Sequence, residues 1–342
     1  MRQCLTLSGG FTVGLVVLSL TRVSIVGQTG TAPSAPQPKA VAKAWTPLRT
    51  VDGQPDLQGV WTNATPTPFE RRKELGDKAF YADEEYAKMI QPRGGNAAAD
   101  AFSEHGQPLR QTSLIIDPPN GRLPELTEEA KLREKQLQEV LSKRGGSDSY
   151  TDRNNSERCL TRGAPKLPGI YNANFQIYQS KDYVAILQEM IHEVRIIPLD
   201  GRAHFDKNVH FWLGDSVGHW EGDTLVVDNT NYNDELRNNI YNCCGLAGTD
   251  LHVVERFKRV DANTIDYRYT VDAPETYVKP FTASVPLKKA VGPVFEYACH
   301  EGNYALHDML AAGRLQDKLG IKEARDSAAD HSAEVNAAGR RR

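Results

Sequence analysis

The sequence predicts a mainly β protein with minor helix, built as an antiparallel barrel or strongly curved sheet with helical decoration on its N-terminal side. Three observations point there. From Cys159 onward, short runs rich in Val, Ile, Tyr and Phe recur with turn residues between them. Residues 264–271 alternate cleanly, with Ile265, Tyr267, Tyr269 and Val271 on one face and Asp266, Arg268 and Thr270 on the other. The chain also holds 27 glycines and 19 prolines, which favours turns over long helices.

In chain order, residues 1–27 read as an export signal: Arg2 supplies a positive start, FTVGLVVLSL an apolar core, and small residues follow. Arg22 interrupts the apolar run well short of the ~20 residues a spanning helix needs, although an uncleaved anchor is the alternative. Residues 28–44, rich in Ala, Pro, Thr and Ser, read as a disordered spacer. Residues 45–157 are expected to form strand and helix decoration. Within them 76–92 is a short helix with Asp83 as its N-cap, acids in its first turn and Pro92 as a stop, and 94–108 a loop. TSLIIDPPNGRLPEL is a strand, a turn and a return. Residues 127–144 are a helix capped by Thr127, with Leu132, Leu137 and Leu141 on helical spacing. The β domain spans 158–319, with strands expected at 174–179, 182–199, 223–228, 251–260, 264–271, 278–287 and 294–299. Residues 320–342 read as a disordered tail.

Composition narrows the function classes. The 342 residues are 39% hydrophobic and 25% charged, with a formal net charge of -3 and no dominant Lys/Arg stripe, so nucleic acid is not an expected partner. Signal cleavage removes Arg2 and Arg22, moves the charge to about -5, and leaves no stable membrane insertion. Export predicts a periplasmic or extracellular location and permits disulfides among Cys159, Cys243, Cys244 and Cys299, which allow three pairings; a bridge between the neighbours Cys243 and Cys244 would be strained. No CxxC, HExxH, GxGxxG or GxxxxGK[ST] pattern occurs, so neither a metal nor a nucleotide or other cofactor is expected.

Two short motifs bear a resemblance. DLQGVW (56–61) is similar to the Gly-x-Trp opening of a first strand in calycin-like, that is lipocalin-like, β-barrels, and HWEGDTLVVD (219–228) to a later hairpin of such barrels. The longer run EMIHEVRIIPLDGRAH, GDSVGHWEGDTLVVDNTNYND, LHVVERFKRVD and FEYACHEGNY resembles an uncharacterised family of exported bacterial proteins over most of 45–314. The resemblance implies fold and compartment and names no reaction. Cys159 and Cys299 sit in segments that look shared, which implies a Cys159–Cys299 bridge; Cys243 and Cys244 depart from the pattern.

The region 183–228 is the densest in chemistry, with four of nine histidines and two of four tryptophans. Read as one strand, 182–199 places His192 with Val184, Ile186 and Ile196 on the apolar, inward side, and Glu189, Glu193 and Arg195 on the other. An inward imidazole is a general acid/base or a polar ligand anchor; the plainer reading is a hydrogen-bonded core histidine. CHEGNY offers His300 and Glu301 at a barrel mouth, or simply a disulfide anchor with a solvated turn. In the connection 200–216, Arg202 is a candidate carboxylate clamp, with His204, Asp215 and Trp212 beside it; the plainer reading is a loop folded over the barrel end with Trp212 as its plug. The resulting expectation is an exported small-molecule-binding barrel of the cell envelope. Its ligand is a small organic molecule, and His192, Arg195, His204, His300 and Glu301 are the polar groups of its lumen or mouth. The alternative is a cofactor-free lyase, isomerase or hydrolase using His192, His300 and Glu301 as an acid–base set. The two readings part on whether those groups converge in an open cavity.

Overall fold

The computed structural model describes residues 45–91, 106–169, 171–235, 244 and 247–321. The expected signal, the spacer, most of the tail and Cys243 therefore lie outside the described residues.

Eleven strands form one antiparallel, nearly closed, barrel-like sheet: β1 (Gly59–Thr62), β2 (Ile115–Asp117), β3 (Asn174–Gln179), β4 (Tyr183–Gln188), β5 (Val194–Pro198), β6 (Asp215–Glu221), β7 (Thr224–Thr230), β8 (His252–Asp261), β9 (Thr264–Asp272), β10 (Phe281–Ser284) and β11 (Leu287–Lys289). Nine of them run in the order β5-β4-β3-β1-β11-β9-β8-β7-β6, and β10 pairs both β9 and β2. Three α-helices accompany them among the described residues: α1 (Asp83–Met89), α2 (Glu128–Ser142) and α3 (Tyr304–Leu319). The mainly β, barrel-like class expected from the sequence is the class found.

Alternation builds the interior. In β9, Ile265, Tyr267, Tyr269 and Val271 are buried and Arg268 is exposed, the pattern read from the sequence. β8 matches it with Val253, Glu255 and Phe257 turned inward. β1 lies mid-sheet between β3 and β11, so residues 45–157 supply strands to the barrel as well as helices. Its Trp61 is buried, donates its indole N–H to Leu57 O at 2.9 Å, and is covered by the Arg259 guanidinium 5.3 Å from the ring. The expected strand 278–287 is divided into β10 and β11 because Pro286, which has no N–H, interrupts the ladder.

The largest departure is at 182–199. This stretch is a hairpin of two strands: Val184 pairs with Ile197, Ile186 with Arg195 and Leu187 with Val194. The turn passes through Ile191 (φ 62) and His192 (φ 46), both in left-handed backbone. Paired residues share a face, so even positions of β4 look the same way as odd positions of β5. Arg195 and Ile197 therefore point inward, while Val194 and Ile196, at 52% and 54% exposure, point out. That reverses the face assignment made from a single continuous strand.

The C-terminal side also differs. The expected strand 294–299 has no ladder; instead the buried Glu189 carboxylate accepts Phe295 N–H at 2.9 Å, and Cys299 N–H donates to Tyr297 O at 3.0 Å. Beyond it, α3 starts at Asn303, whose side chain accepts Leu306 N–H, and ends at the left-handed Gly320. Cys159 and Cys299 form a disulfide with a Cα–Cα separation of 5.7 Å, closing a loop of 140 residues. Cys244 is also disulfide-bonded. In α1 the N-cap is Ala82 and not Asp83, which is the first helical residue; Glu85 caps in its place by accepting Ala82 N–H at 2.8 Å. Leu132 and Leu137 of α2 are exposed, so that helix packs against the barrel over little of its surface.

The path of strands ends at β5 and β6, which run side by side without a hydrogen-bonded ladder. Side chains close the seam. A Cβ on Gly218 would stand 2.8 Å from both Ile197 Cγ2 and Leu199 Cδ2, so only glycine lets β5 lie against β6 there. Gly218→Val is expected to lower stability by about 1–3 kcal/mol, read as the midpoint of urea unfolding. An unchanged midpoint would mean that the seam is open.

Candidate functional site

The hairpin register aims Arg195 of β5 into the lumen, where it meets Glu255 of β8. The contact is bidentate: Arg195 Nη1 donates to Glu255 Oε2, and Nη2 donates to Oε1 at 2.9 Å. Tyr267 of β9 adds its hydroxyl to Glu255 Oε1 at 2.6 Å. Glu255 is fully buried. Burial opposes the charge on Arg195, but the attraction and hydrogen bond of Glu255 outweigh it and hold the guanidinium protonated. Burial first, and then the Glu255 charge, push the Tyr267 phenol well above its ordinary range.

Around this pair the wall is apolar: Phe175 and Ile177 of β3, Ile186 of β4, Phe257 of β8 stacked on Tyr267 at 4.4 Å, and Leu287 of β11. Gln188 joins it from β4. Its Nε2 donates to Gly163 O at 3.4 Å, and its buried Oε1 has no hydrogen-bond partner. Ala164, Pro165 and Lys166 lie across this end of the lumen. They belong to a segment, 161–167, that is tied to the barrel at several points. Arg162 N–H donates to Glu193 Oε2 at 3.2 Å, Tyr232 OH to Ala164 O at 2.8 Å, and Asn63 Nδ2 to Lys166 O at 3.1 Å. With the segment in place the void beneath measures ≈ 20 Å³, room for about one water. Glu193 sits at the rim. Burial raises its pKa to about 7, against the lowering effect of the Thr161 hydroxyl, the Arg162 N–H, Lys166 and His192.

A second polar group lies where the 200–214 connection crosses β6, β7 and β8. His204 Nδ1 faces Asp215 Oδ2 and its Nε2 faces Asp228 Oδ1, both at 3.0 Å; His252 Nε2 faces both Asp228 oxygens at 3.1 Å. Phe205 N–H also donates to Asp215, at 2.8 Å. The hydrogen bond to His252 is the main cause that lowers the Asp228 pKa, and the bond to Asp228 is the main cause that raises that of His252.

The structure thus separates the sequence-derived set. Arg195 is in the lumen. His192 is not: it stands exposed on the hairpin turn, its Nδ1 2.8 Å from Tyr297 O. His300 and Glu301 are exposed in the turn before α3. These three do not line the lumen, because the hairpin turn and the irregular segment 294–303 both lie outside the barrel wall. Arg202 does act as a carboxylate clamp, but on its own Asp200 (Nε to Oδ1 at 3.0 Å, Nη2 to Oδ2 at 2.9 Å) and against the Tyr183 ring. His204 and Asp215 anchor the connection, and Trp212 packs on the core from it. Sequence reasoning passed over Gln188, Glu193, Glu255 and His252. Glu255 carried a signal, a carboxylate between Val253 and Phe257 on the apolar face of β8. The other three depend on a register that only the folded hairpin and sheet reveal.

Three comparisons with known proteins give no match: not to any protein-family profile, nor to any curated protein, nor to any solved structure.

Two outcomes are expected from this geometry. Glu255→Ala strands a buried guanidinium and should cost about 3–5 kcal/mol in urea unfolding, while the joint change Arg195→Met with Glu255→Leu should recover most of it. A loss for Glu255→Ala equal to that of the double variant would contradict a coupled pair. For the surface cluster, the lowered Asp228 contributes above its ordinary pKa of 3.8, and the raised His252 contributes below its ordinary 6.5. Asp228→Asn should therefore lose stability most between those values, and progressively less as pH rises through the raised His252 titration. The groups are half-exposed, so the deficit is about 1 kcal/mol or less. A deficit that grows toward pH 9 would contradict the assignment.

Proposed function

We propose that this chain is an exported small-molecule-binding barrel of the cell envelope, periplasmic or extracellular, whose ligand enters the lumen above the Arg195–Glu255 pair. One observation carries the reading. The buried Gln188 Oε1 has no partner and lines the same void as the ion pair and the aromatic walls of Phe175, Phe257 and Tyr267. An unpaired buried acceptor costs about 1–3 kcal/mol, and a binding site uses a few polar groups set in apolar walls. The void measures ≈ 20 Å³, so on this reading an organic ligand requires its walls to move apart.

For the compartment, the support is the Cys159–Cys299 disulfide, the export-like first 27 residues and the resemblance to exported bacterial proteins. Among the described residues no helix is long and apolar enough to cross a membrane. The acid–base alternative rests on His192, His300 and Glu301, all three exposed.

A thermal-shift screen against a metabolite library tests the proposal. At least one compound should raise the native Tm by several degrees, and Gln188→Leu should keep the unliganded Tm while losing much of that shift. A library without a stabilising compound, or shifts identical in the variant, would count against lumen binding.

A further inference from the structure

We propose that the Cys159–Cys299 disulfide is a reducible clasp. A dithiol opens it in the folded protein by attack at Cys299 Sγ, with Cys159 as the leaving thiolate, and so frees residues 291–319 as a strap from the β4–β5 hairpin turn. The inference goes beyond ligand binding and does not depend on it.

The strap leaves the sheet after Ala290, whose N–H donates to Val60 O at 3.0 Å. Residues 291–303 are exposed or half-buried, and α3 has no buried residue. A segment that takes so little apolar surface out of water gains too little to offset the entropy of its own ordering. Polar and covalent contacts attach it instead. Glu189 accepts Phe295 N–H at 2.9 Å, His192 Nδ1 stands 2.8 Å from Tyr297 O, Asn303 Nδ2 donates to Glu157 O at 2.7 Å, and Cys299 is bonded to Cys159. Hydrogen bonds exchange with water at small net gain, so the covalent link is what makes the others persist. Opening it withdraws two partners from the turn that carries Ile191 and His192 in left-handed backbone.

The two sulfurs are unlike, which sets the direction of attack. Cys159 is buried in the body of the protein, whereas Cys299 is half-buried on the exposed strap. Asn303 Nδ2 donates to Cys159 Sγ at 3.4 Å, so charge that develops on that sulfur is met by an N–H, which favours it as the leaving group. The same Asn303 caps α3 by accepting Leu306 N–H at 3.3 Å. In the first step a thiolate of the dithiol bonds to Cys299 Sγ as the Cys299–Cys159 bond breaks, and Cys159 leaves as a thiolate and takes up a proton. In the second, the other thiolate of the dithiol displaces Cys299 from the mixed disulfide. Both cysteines end as thiols, two electrons richer as a pair, and the dithiol ends as its own disulfide. Cys244 is disulfide-bonded too, but it is fully buried in the core, out of reach of the same reagent.

Dithiothreitol on the folded full chain tests it. Samples are quenched with iodoacetamide at intervals and mapped by mass spectrometry, and hydrogen exchange is read beside them. Cys159 and Cys299 should become alkylated together, at least about tenfold faster than Cys244, and protection of the α3 amides and of His192 N–H should fall about tenfold or more while the β8–β9 ladder keeps its own. The variant Cys159→Ser with Cys299→Ser should show the same low α3 protection without reductant, and its ladder amides report that the barrel is folded. Asn303→Asp retains the acceptor that caps α3 but has no donor for the sulfur, and should open several-fold more slowly. Alkylation of all three cysteines at one rate, with ladder protection lost in step, would mean that the bond opens only by global unfolding and would overturn the clasp. Opening that leaves α3 protection intact would overturn the strap. An Asn303→Asp rate equal to or above the native one would overturn Cys159 as the leaving group.

Discussion

Everything in this barrel is arranged around the ion pair between Arg195 and Glu255. Two charges taken out of water are costly, and only a bidentate geometry with a further donor, here the Tyr267 hydroxyl, makes the arrangement tolerable. The pair connects β5, at one end of the strand path, to β8, well inside it. It therefore spans the lumen and ties β5, which has no hydrogen-bonded neighbour on its outer side, to the opposite wall, while the β3–β4 ladder holds the other strand of the hairpin. Apolar packing fills the same space without choosing among rotations of that hairpin, whereas a forked guanidinium–carboxylate contact admits one.

The hairpin also marks the limit of what the sequence made legible. Strand β9, the turn at Pro118–Gly121, the start of α2 at Thr127 and the opening of β1 at Gly59 were all readable, because each is set by local periodicity or turn chemistry. The turn at 189–192 was not. It contains no Gly, Pro, Asn or Asp, and it carries Ile191 and His192 in a backbone region that such residues seldom occupy. What holds it is tertiary: Met190 and Ile191 are buried, Glu189 accepts from Asn174 and Phe295, and His192 reaches Tyr297 O. Without that turn the parity of every residue after Gln188 is inverted, which is why His192 was read as inward and Arg195 as outward. One undetected turn thus takes His192 out of the lumen and leaves Arg195, also a candidate, inside it.

The same reasoning explains the unanticipated C-terminal side. Residues 294–299 look like a strand by composition, yet Phe295 N–H and Tyr297 O are met by Glu189 and His192, side chains of the very turn that was missed. α3 lies in what was expected to be the end of the β domain and was not read from the sequence; it follows a disulfide anchor and meets Ser147 through Gly313 rather than through a broad apolar stripe. A helix with so little burial leaves only a faint imprint on hydrophobic periodicity.

The seam at Gly218 has a consequence for the barrel as a mechanical object. Where a ladder closes a barrel, its circumference is quantised, since strands shift only by whole hydrogen-bonded steps. Here the last contact is between aliphatic side chains of Ile197 and Leu199 and a bare backbone, and such a contact slides without crossing a rung. Slip along the seam is therefore limited by the Arg195–Glu255 contact across the lumen and not by any rung between β5 and β6.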